Sequence, residues 1–160
     1  MSREAPELVV AVSGSDSSRR ATAVAADLAS TFDARLTILH VVPPVQYRIG
    51  RLAPTLPITQ LLDDPLSHPV LLYARQIAWA RGVSPRVILI AGDPGPVIVT
   101  VAGELCADLL VIGTSPRLVS GRLAGRRGPW VHAHASCPVL PISFAPPAPP
   151  RPRLEPILFT

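Results

Sequence analysis

The 160-residue chain contains no lysine and no asparagine, and all fifteen of its basic residues are arginine. A Walker-type phosphate loop is therefore excluded, because that loop needs a lysine that reaches the phosphates. The same absence excludes a pyridoxal Schiff base and the strand lysine of a protein kinase. Several large classes of phosphate and cofactor enzymes are thus ruled out by composition.

Charged and aromatic side chains are also scarce. Charged residues make up 16% of the chain, with a net charge of +4, whereas soluble proteins average about 25%. This predicts a partly apolar surface, and hence a protein partner or self-association. Only seven aromatic residues accompany the scattered arginines, so the sequence does not favour binding to nucleic acid.

The two cysteines, Cys106 and Cys137, are too few for a disulfide framework. Cys106 lies in an apolar stretch with helical character and is predicted to be a small core residue. The polar N-terminal residues do not resemble a secretory signal, and no apolar run approaches membrane-spanning length. We therefore expect a cytoplasmic protein without membrane contact.

Short β-branched runs alternate with helical patterns along the chain. Strands are predicted at residues 8–12, 36–42, 86–91, 109–112 and 139–142, and helices at 17–32, 70–81, from 94 onward, and 129–135. On the first helix, Ala21, Ala25, Leu28 and Phe32 share one face. This alternation predicts an α/β fold with an open parallel sheet and helices on both faces. Ligands in such sheets bind beyond the carboxyl ends of the strands.

Two proline-rich segments interrupt this alternation. Residues 45–69 are predicted to form a long surface loop with a short helical turn. Residues after 143 have a polyproline-like composition, which divides the chain into an α/β domain (1–145) and a proline-rich tail (146–160). The tail is either a stiff extension or, through residues 154–159, a docking segment for a partner or a second subunit.

The segment from Asp108 to Val139 has the composition of an anion-binding unit. An apolar strand ends at Gly113 and opens into a loop rich in glycine, arginine and serine that runs to Gly128. Glycines allow backbone N–H groups to turn toward a phosphate. Pro116 lies in this loop and has no N–H group to donate, so the loop is predicted to be an altered phosphate cradle.

Four segments, in order and at matching spacing, resemble the universal stress protein family across residues 7–143. They are residues 9–18 (VVAVSGSDSS), 36–43 (LTILHVVP), 92–113 (from Gly-Asp-Pro to ADLLVIG) and 137–140 (CPVL). The resemblance implies a Rossmann-like fold related to the adenine nucleotide alpha hydrolases, with five parallel strands in the order 3-2-1-4-5. It also implies a non-catalytic role in stress response and frequent homodimers.

The resemblance further implies two groups of proteins, of which one binds ATP. The ATP binders carry an acidic residue at the end of strand one and a Gly-x2-Gly-x9-Gly-Ser/Thr loop after strand four. Here Ser13 occupies the acidic position, Pro116 the second glycine and Arg126 the hydroxyl residue. Each exchange costs about 1 kcal/mol, and three together cost roughly a hundredfold in affinity. No cofactor is required on this basis, and ATP or AMP is expected to bind weakly or not at all.

The candidate nucleotide or anion site combines the loops after strands one, two and four. Its residues are Val12, Ser13, Gly14, Ser15, Val41, Gly113, Thr114, Arg117, Gly125, Arg126 and Arg127. Alternatively, loop arginines grip phosphate and make the protein a nucleotide-responsive switch. No catalytic or metal-binding residue is predicted. His132 and His134 point to different sides of a helix, and a Ser13–Asp16–His40 triad lacks a nucleophile elbow.

The last predicted strand bears on assembly. The family resemblance implies that this strand is a sheet edge that pairs across a dimer, here through Val139, Leu140, Pro141 and Ile142. Proline is tolerated mainly on edge strands and cannot donate to a ladder. Pro141 therefore predicts either an altered homodimer or one that uses another surface, such as the 45–69 loop or the tail.

Overall fold

A computed structural model of the chain describes residues 4–43, 66, 68–114 and 127–144. Most of the predicted 45–69 loop, the stretch 115–126 and the tail lie outside these residues. In the described part of the chain, no helix is long and apolar enough to cross a membrane.

Five strands and four helices alternate along the described chain. They are β1 (Glu7–Val12), α1 (Asp16–Phe32), β2 (Arg35–Val42), α2 (Pro69–Trp79), β3 (Arg86–Ala91), α3 (Pro94–Glu104), β4 (Leu109–Thr114), α4 (Arg127–His134) and β5 (Val139–Ser143). The strands form one sheet in the order β3-β2-β1-β4-β5, and all four pairings are parallel. The predicted α/β class, strand number and strand order are confirmed.

The sheet separates two apolar cores. Val10 of β1 and Val111 of β4 belong to the core that contains the buried faces of α1 and α2. Val9 and Leu110 belong to the core on the other face, against α3 and α4. Because the central strands are buried on both faces, they are continuous apolar runs rather than alternating ones.

Two local predictions differ from the structure at helix ends. Phe32, placed on the buried face of α1, is 64% exposed, because the 17-residue helix spans about 25 Å and its last turn extends beyond the roughly 20 Å of β1. Cys106, predicted in the core, is exposed because α3 ends at Glu104 and Cys106 adopts a left-handed conformation with φ of 51°. Asp93 precedes α3, but its side chain makes no capping hydrogen bond.

Buried polar groups join the amino ends of the central strands. The Glu7 carboxylate is 3% exposed; it accepts a 2.6 Å hydrogen bond from the Thr37 hydroxyl and pairs at 3.0 Å with Arg35. The Glu7 N–H donates to the Asp108 carboxylate at 2.8 Å. These contacts link β1 to β2 and to the start of β4, at the end of the sheet opposite the predicted site.

At the carboxyl end, Gly113 brings β4 against the first turn of α1. A Cβ atom at this position would lie 2.5 Å from the Ser18 nitrogen and 2.6 Å from the Ser17 carbonyl carbon. These neighbours are backbone atoms in a helix and have little freedom to move aside. Glycine at position 113 therefore sets the distance between β4 and α1.

Two histidines meet beside the end of β1. The Nδ1–H group of His40 donates to the Val12 carbonyl at 2.7 Å, and the His40 and His68 ring centroids lie 4.6 Å apart. His68 caps α2, its Nδ1 accepting from the Val70 N–H at 3.3 Å. Burial lowers the pKa of His40 below its ordinary value of 6.5. Burial, followed by the charge of His40, lowers the pKa of His68 in the same direction.

We expect Gly113→Ala to lower the free energy of unfolding by about 1–3 kcal/mol, because the added methyl group overpacks the contact between β4 and α1. Urea denaturation measures this change. Gly103→Ala is the matched control: its Cβ would lie at an ordinary 3.7 Å from the Ser136 hydroxyl, and alanine favours a helix. Equal stability of the two variants would contradict the close-packing argument.

The histidine pair predicts a loss of stability in acid. Because both folded-state pKa values are lowered, the unfolded chain takes up protons first as the pH falls. The contribution of the pair is complete above a pH of about 6.5 and declines below it. In urea unfolding at a series of pH values, His68→Asn, which keeps a capping acceptor, should reduce this decline. The exposed His132→Asn is the control and should retain it; an unchanged decline in His68→Asn would refute the prediction.

Candidate functional site

A crevice opens at the carboxyl ends of β1 and β4, where the winding of the sheet reverses. The cavity has a volume of about 310 Å³, at the small end of the usual range for ligand pockets. Its walls come from the ends of β1, β2 and β4, from the first turn of α1, and from the N-terminal parts of α3 and α4. The lining residues are Ala11, Val12, Ser13, Ser15, Ser17, Ser18, Leu39, Val41, Pro94, Ile98, Ile112, Gly113, Thr114, Gly128, Pro129 and Val131.

Four serines form one wall of the crevice and hydrogen-bond to one another and to the backbone. The Ser13 N–H donates to the Ser18 hydroxyl at 2.9 Å, and the Ser18 N–H donates to the Ser15 hydroxyl at 3.2 Å. The Ser15 hydroxyl lies 3.1 Å from the hydroxyls of both Ser13 and Ser17. One backbone donor in the first turn of α1, the Ser18 N–H, and one in the preceding loop, the Ser13 N–H, are thus already paired within the chain.

The opposite walls of the crevice are apolar. Val41 and Leu39 come from β2, Ile98 and Pro94 from α3, and Val131 from α4. The Trp130 ring of α4 packs closely on Gly95 of α3, where an added Cβ atom would lie only 3.1 Å from the ring. The Trp130 ring also stacks on His134 at 4.0 Å. This apolar wall suits a flat, weakly polar group.

The described lining of the crevice contains no ionisable side chain. Asp16, in the first turn of α1, is exposed and pairs with Arg19 at 3.5 Å instead of lining the crevice. The remaining electrostatic features are the N-termini of α1, α3 and α4, whose dipoles place partial positive charge near the crevice. The described part of the site is therefore neutral, with a weak preference for negative charge.

Six of the residues proposed from the sequence line the crevice: Val12, Ser13, Ser15, Val41, Gly113 and Thr114. Gly14 does not. It has a φ of 82° and lies beside Val70, where it lines a separate cavity between α1 and α2. Arg117, Gly125 and Arg126 lie outside the described residues, as does the side chain of Arg127, the first residue of α4.

Several lining residues were not singled out from the sequence. Ser17 and Ser18 continue the serine run after Ser13, and this run was the available signal. Pro94 follows the Gly-Asp motif, which indicated a helix start rather than a site. Ile98 and Val131 are ordinary apolar residues that only the packing of α3 and α4 brings to the crevice.

The described residues do not assemble a catalytic or metal centre. His40 is bonded to the Val12 carbonyl and does not contact Asp16 or Ser13, so the conceivable triad is not formed. His134 bonds to the Trp130 carbonyl within α4, and no group of three or more potential metal ligands occurs among the described residues. Burial raises the pKa of the Cys137 thiol, which disfavours the reactive thiolate.

The strand β5 is an edge of the sheet, and Pro141 is exposed on it. The Leu110 N–H donates to the Pro138 carbonyl at 3.0 Å, and Leu110 is in register with Val139. Because successive strand residues direct their backbone groups to opposite sides, Val139, Pro141 and Ser143 face the open edge. Pro141 thus leaves the pairing with β4 intact and removes one donor from the edge.

Comparisons with known proteins agree with this architecture. The family model described as "Universal stress protein family" matches residues 6–142. A universal stress protein of Thermus aquaticus is 31% identical over 134 residues, which are 83% of this chain and 95% of the relative.

Two solved structures have the same fold. The universal stress protein UspA from Lactobacillus plantarum superposes with a TM-score of 0.67 at 26% identity, covering 88% of this chain and 99% of that one. A universal stress protein crystallised in complex with cAMP superposes with a TM-score of 0.64 at 29% identity, covering 86% and 95% of the two chains. The present chain belongs to the universal stress protein family.

Proposed function

We propose that this chain is a non-catalytic stress-response protein that acts through association with itself or with a protein partner, and that its crevice binds ATP weakly or not at all. The observation that carries this proposal is the neutral lining of the described crevice, in which the Ser15 and Ser18 hydroxyls accept from the Ser18 and Ser13 N–H groups.

The absence of acid–base groups from the described lining supports a non-catalytic role. Hydrolysis of a phosphate ester needs a residue that positions or activates water, or a base beside a nucleophile. The serines in the crevice hydrogen-bond to other serines and to backbone N–H groups, and no histidine or carboxylate among the described residues lines the cavity. A serine without a base is a weak nucleophile at neutral pH.

Weak binding of Mg·ATP follows from the same geometry. Protein sites usually hold Mg²⁺ through one or two carboxylates together with the phosphates of the substrate. Ser13 stands at the end of β1, where the ATP-binding members of the family carry an acid. A phosphate that entered near α1 would also compete with Ser15 for the Ser18 N–H. The missing carboxylate and the displaced hydrogen bond each lower the binding free energy by about 1 kcal/mol.

A nucleotide-responsive switch is the second candidate. The crevice is open, its apolar wall can accept a flat ring, and the related protein at 29% identity was crystallised with cAMP. A cyclic monophosphate carries less charge than ATP and has no need of a carboxylate-bound metal. If the protein is a nucleotide-responsive switch, we therefore expect its ligand to be an adenine monophosphate rather than ATP.

For self-association we propose a homodimer in which pairing through β5 is weakened by Pro141. The open edge keeps the carbonyl groups of Val139, Pro141 and Ser143, but it has N–H groups only at Val139 and Ser143. Two copies that pair antiparallel along this edge would lack the hydrogen bond that position 141 could otherwise donate.

Ser13→Asp should increase the affinity for Mg·ATP, by about tenfold for a gain of 1.4 kcal/mol, because it supplies a carboxylate beside the start of α1. Isothermal titration with ATP and with AMP, each with and without Mg²⁺, measures the change. Ser13→Asn is the matched control, with similar shape and no charge, and should bind as the wild type does.

The wild type also separates the two candidate functions in this titration. Micromolar saturation with ATP would contradict the leading proposal. Binding of AMP or cAMP at concentrations where ATP does not bind would favour the switch. No binding of any nucleotide at millimolar concentration would exclude it.

Pro141→Val should tighten the dimer, because it restores an outward N–H group on each copy. One or two additional hydrogen bonds of about 1 kcal/mol each predict a fivefold to thirtyfold lower dimer dissociation constant. Analytical ultracentrifugation measures it. Pro138→Val is the control, since its restored N–H group would point toward β4. An unchanged dimer in Pro141→Val would place the self-association surface elsewhere.

A further inference from the structure

A second concave region lies between α1 and α2 and is separate from the crevice. Its open part, the α1–α2 groove, has a volume of about 500 Å³ and is lined by Arg19, Arg20, Tyr73, Ile77 and Phe144, among others. The groove continues into a deeper cavity of about 310 Å³, since Arg19, Tyr73 and Ile77 border both. None of the residues that line the groove itself also lines the crevice.

The α1–α2 groove exposes aromatic surface. Tyr73 is 46% exposed and Phe144 is 41% exposed. The Arg19 guanidinium lies 4.7 Å from the centre of the Tyr73 ring and forms a flat, amphipathic surface with it. Grooves lined by aromatic rings are typical docking sites for proline-rich segments in the polyproline II conformation.

The chain itself carries such a segment next to this groove. Phe144, which lines the groove, is the last described residue, and the sequence Pro-Pro-Ala-Pro-Pro follows at residues 146–150. At about 3.1 Å per residue, residue 150 lies within roughly 20 Å of chain length from Phe144. A segment tethered at the wall of the groove is present there at high effective concentration.

The charges of the groove also select this segment. Arg20 makes no hydrogen bond or ion pair with any described residue, so its guanidinium is free to donate to the carbonyl groups of an extended backbone. Residues 146–150 carry no charge and therefore lie beside Arg19 and Arg20 without repulsion. Asp16 and Arg81 also line the groove, where Asp16 pairs with Arg19 and Arg81 with Asp27. The unpaired charge of Arg20 therefore disfavours Arg151 and Arg153 in the groove, which places the contact before them.

We propose that residues 146–150 dock in the α1–α2 groove of the same chain, with proline rings packed on Tyr73 and backbone carbonyls accepting from Arg20. The groove is then a built-in recognition site for an uncharged polyproline segment, occupied by the chain's own tail. The deeper cavity behind the groove shares Val12 and Ser18 with the crevice.

Photo-crosslinking in the full-length chain tests this proposal. Benzoylphenylalanine is placed at position 148 in place of Ala148, the protein is irradiated, and cross-linked peptides are identified by mass spectrometry. We expect cross-links within one chain to peptides that contain residues 16–23 or 73–81. Tyr73→Ser should reduce their yield by about fivefold or more. Trp79→Ser is the matched control, since Trp79 is an exposed aromatic on the same helix that does not line the groove, and it should leave the yield unchanged.

Three results would overturn the proposal: cross-links to other parts of the chain or none at all, cross-links between two chains at concentrations where the protein is monomeric by mass, and an undiminished yield in Tyr73→Ser. Thermal denaturation of each variant, followed by circular dichroism, confirms that the fold is intact. The cross-linking yield does not depend on nucleotide binding, so this experiment tests the docking of the tail separately from the function proposed for the crevice.

Discussion

The close approach of β4 to α1 at Gly113 is the constraint on which the site depends. With only a hydrogen at this position, the backbone of the strand packs directly on Ser17 and Ser18. The first turn of α1 is thereby held over the carboxyl ends of β1 and β4. The crevice exists because this helix end, the two strand ends and the neighbouring walls of α3 and α4 converge there.

Once α1 is held in this position, its N-terminal donors must be satisfied. Backbone N–H groups at a helix start attract anions, and in many α/β proteins a phosphate fulfils this role. Here Ser15 accepts from the Ser18 N–H, and Ser18 accepts from the Ser13 N–H. Two N–H groups beside the crevice are therefore already paired within the chain.

The strands and their order were predictable from the sequence because apolar runs of this length, separated by helical patterns and turn residues, leave few other folds. Five strands were placed to within two residues at either end. Prediction failed where a helix ends relative to the sheet. Phe32 has the right spacing for the buried face but lies beyond the strand, and Cys106 follows the last turn of α3 in a left-handed conformation. Spacing alone contains no information about these distances.

The sequence by itself determined the fold and the family, because these depend on local pattern and residue type. The tertiary structure decided which residues face the crevice. In the structure, Gly14 lines a different cavity, and Ile98 and Val131, from two helices far apart in the sequence, line the crevice. Phe144 lines the groove formed by α1 and α2. These contacts join segments far apart in the chain, and only the packing of helices on the sheet fixes the distances between them.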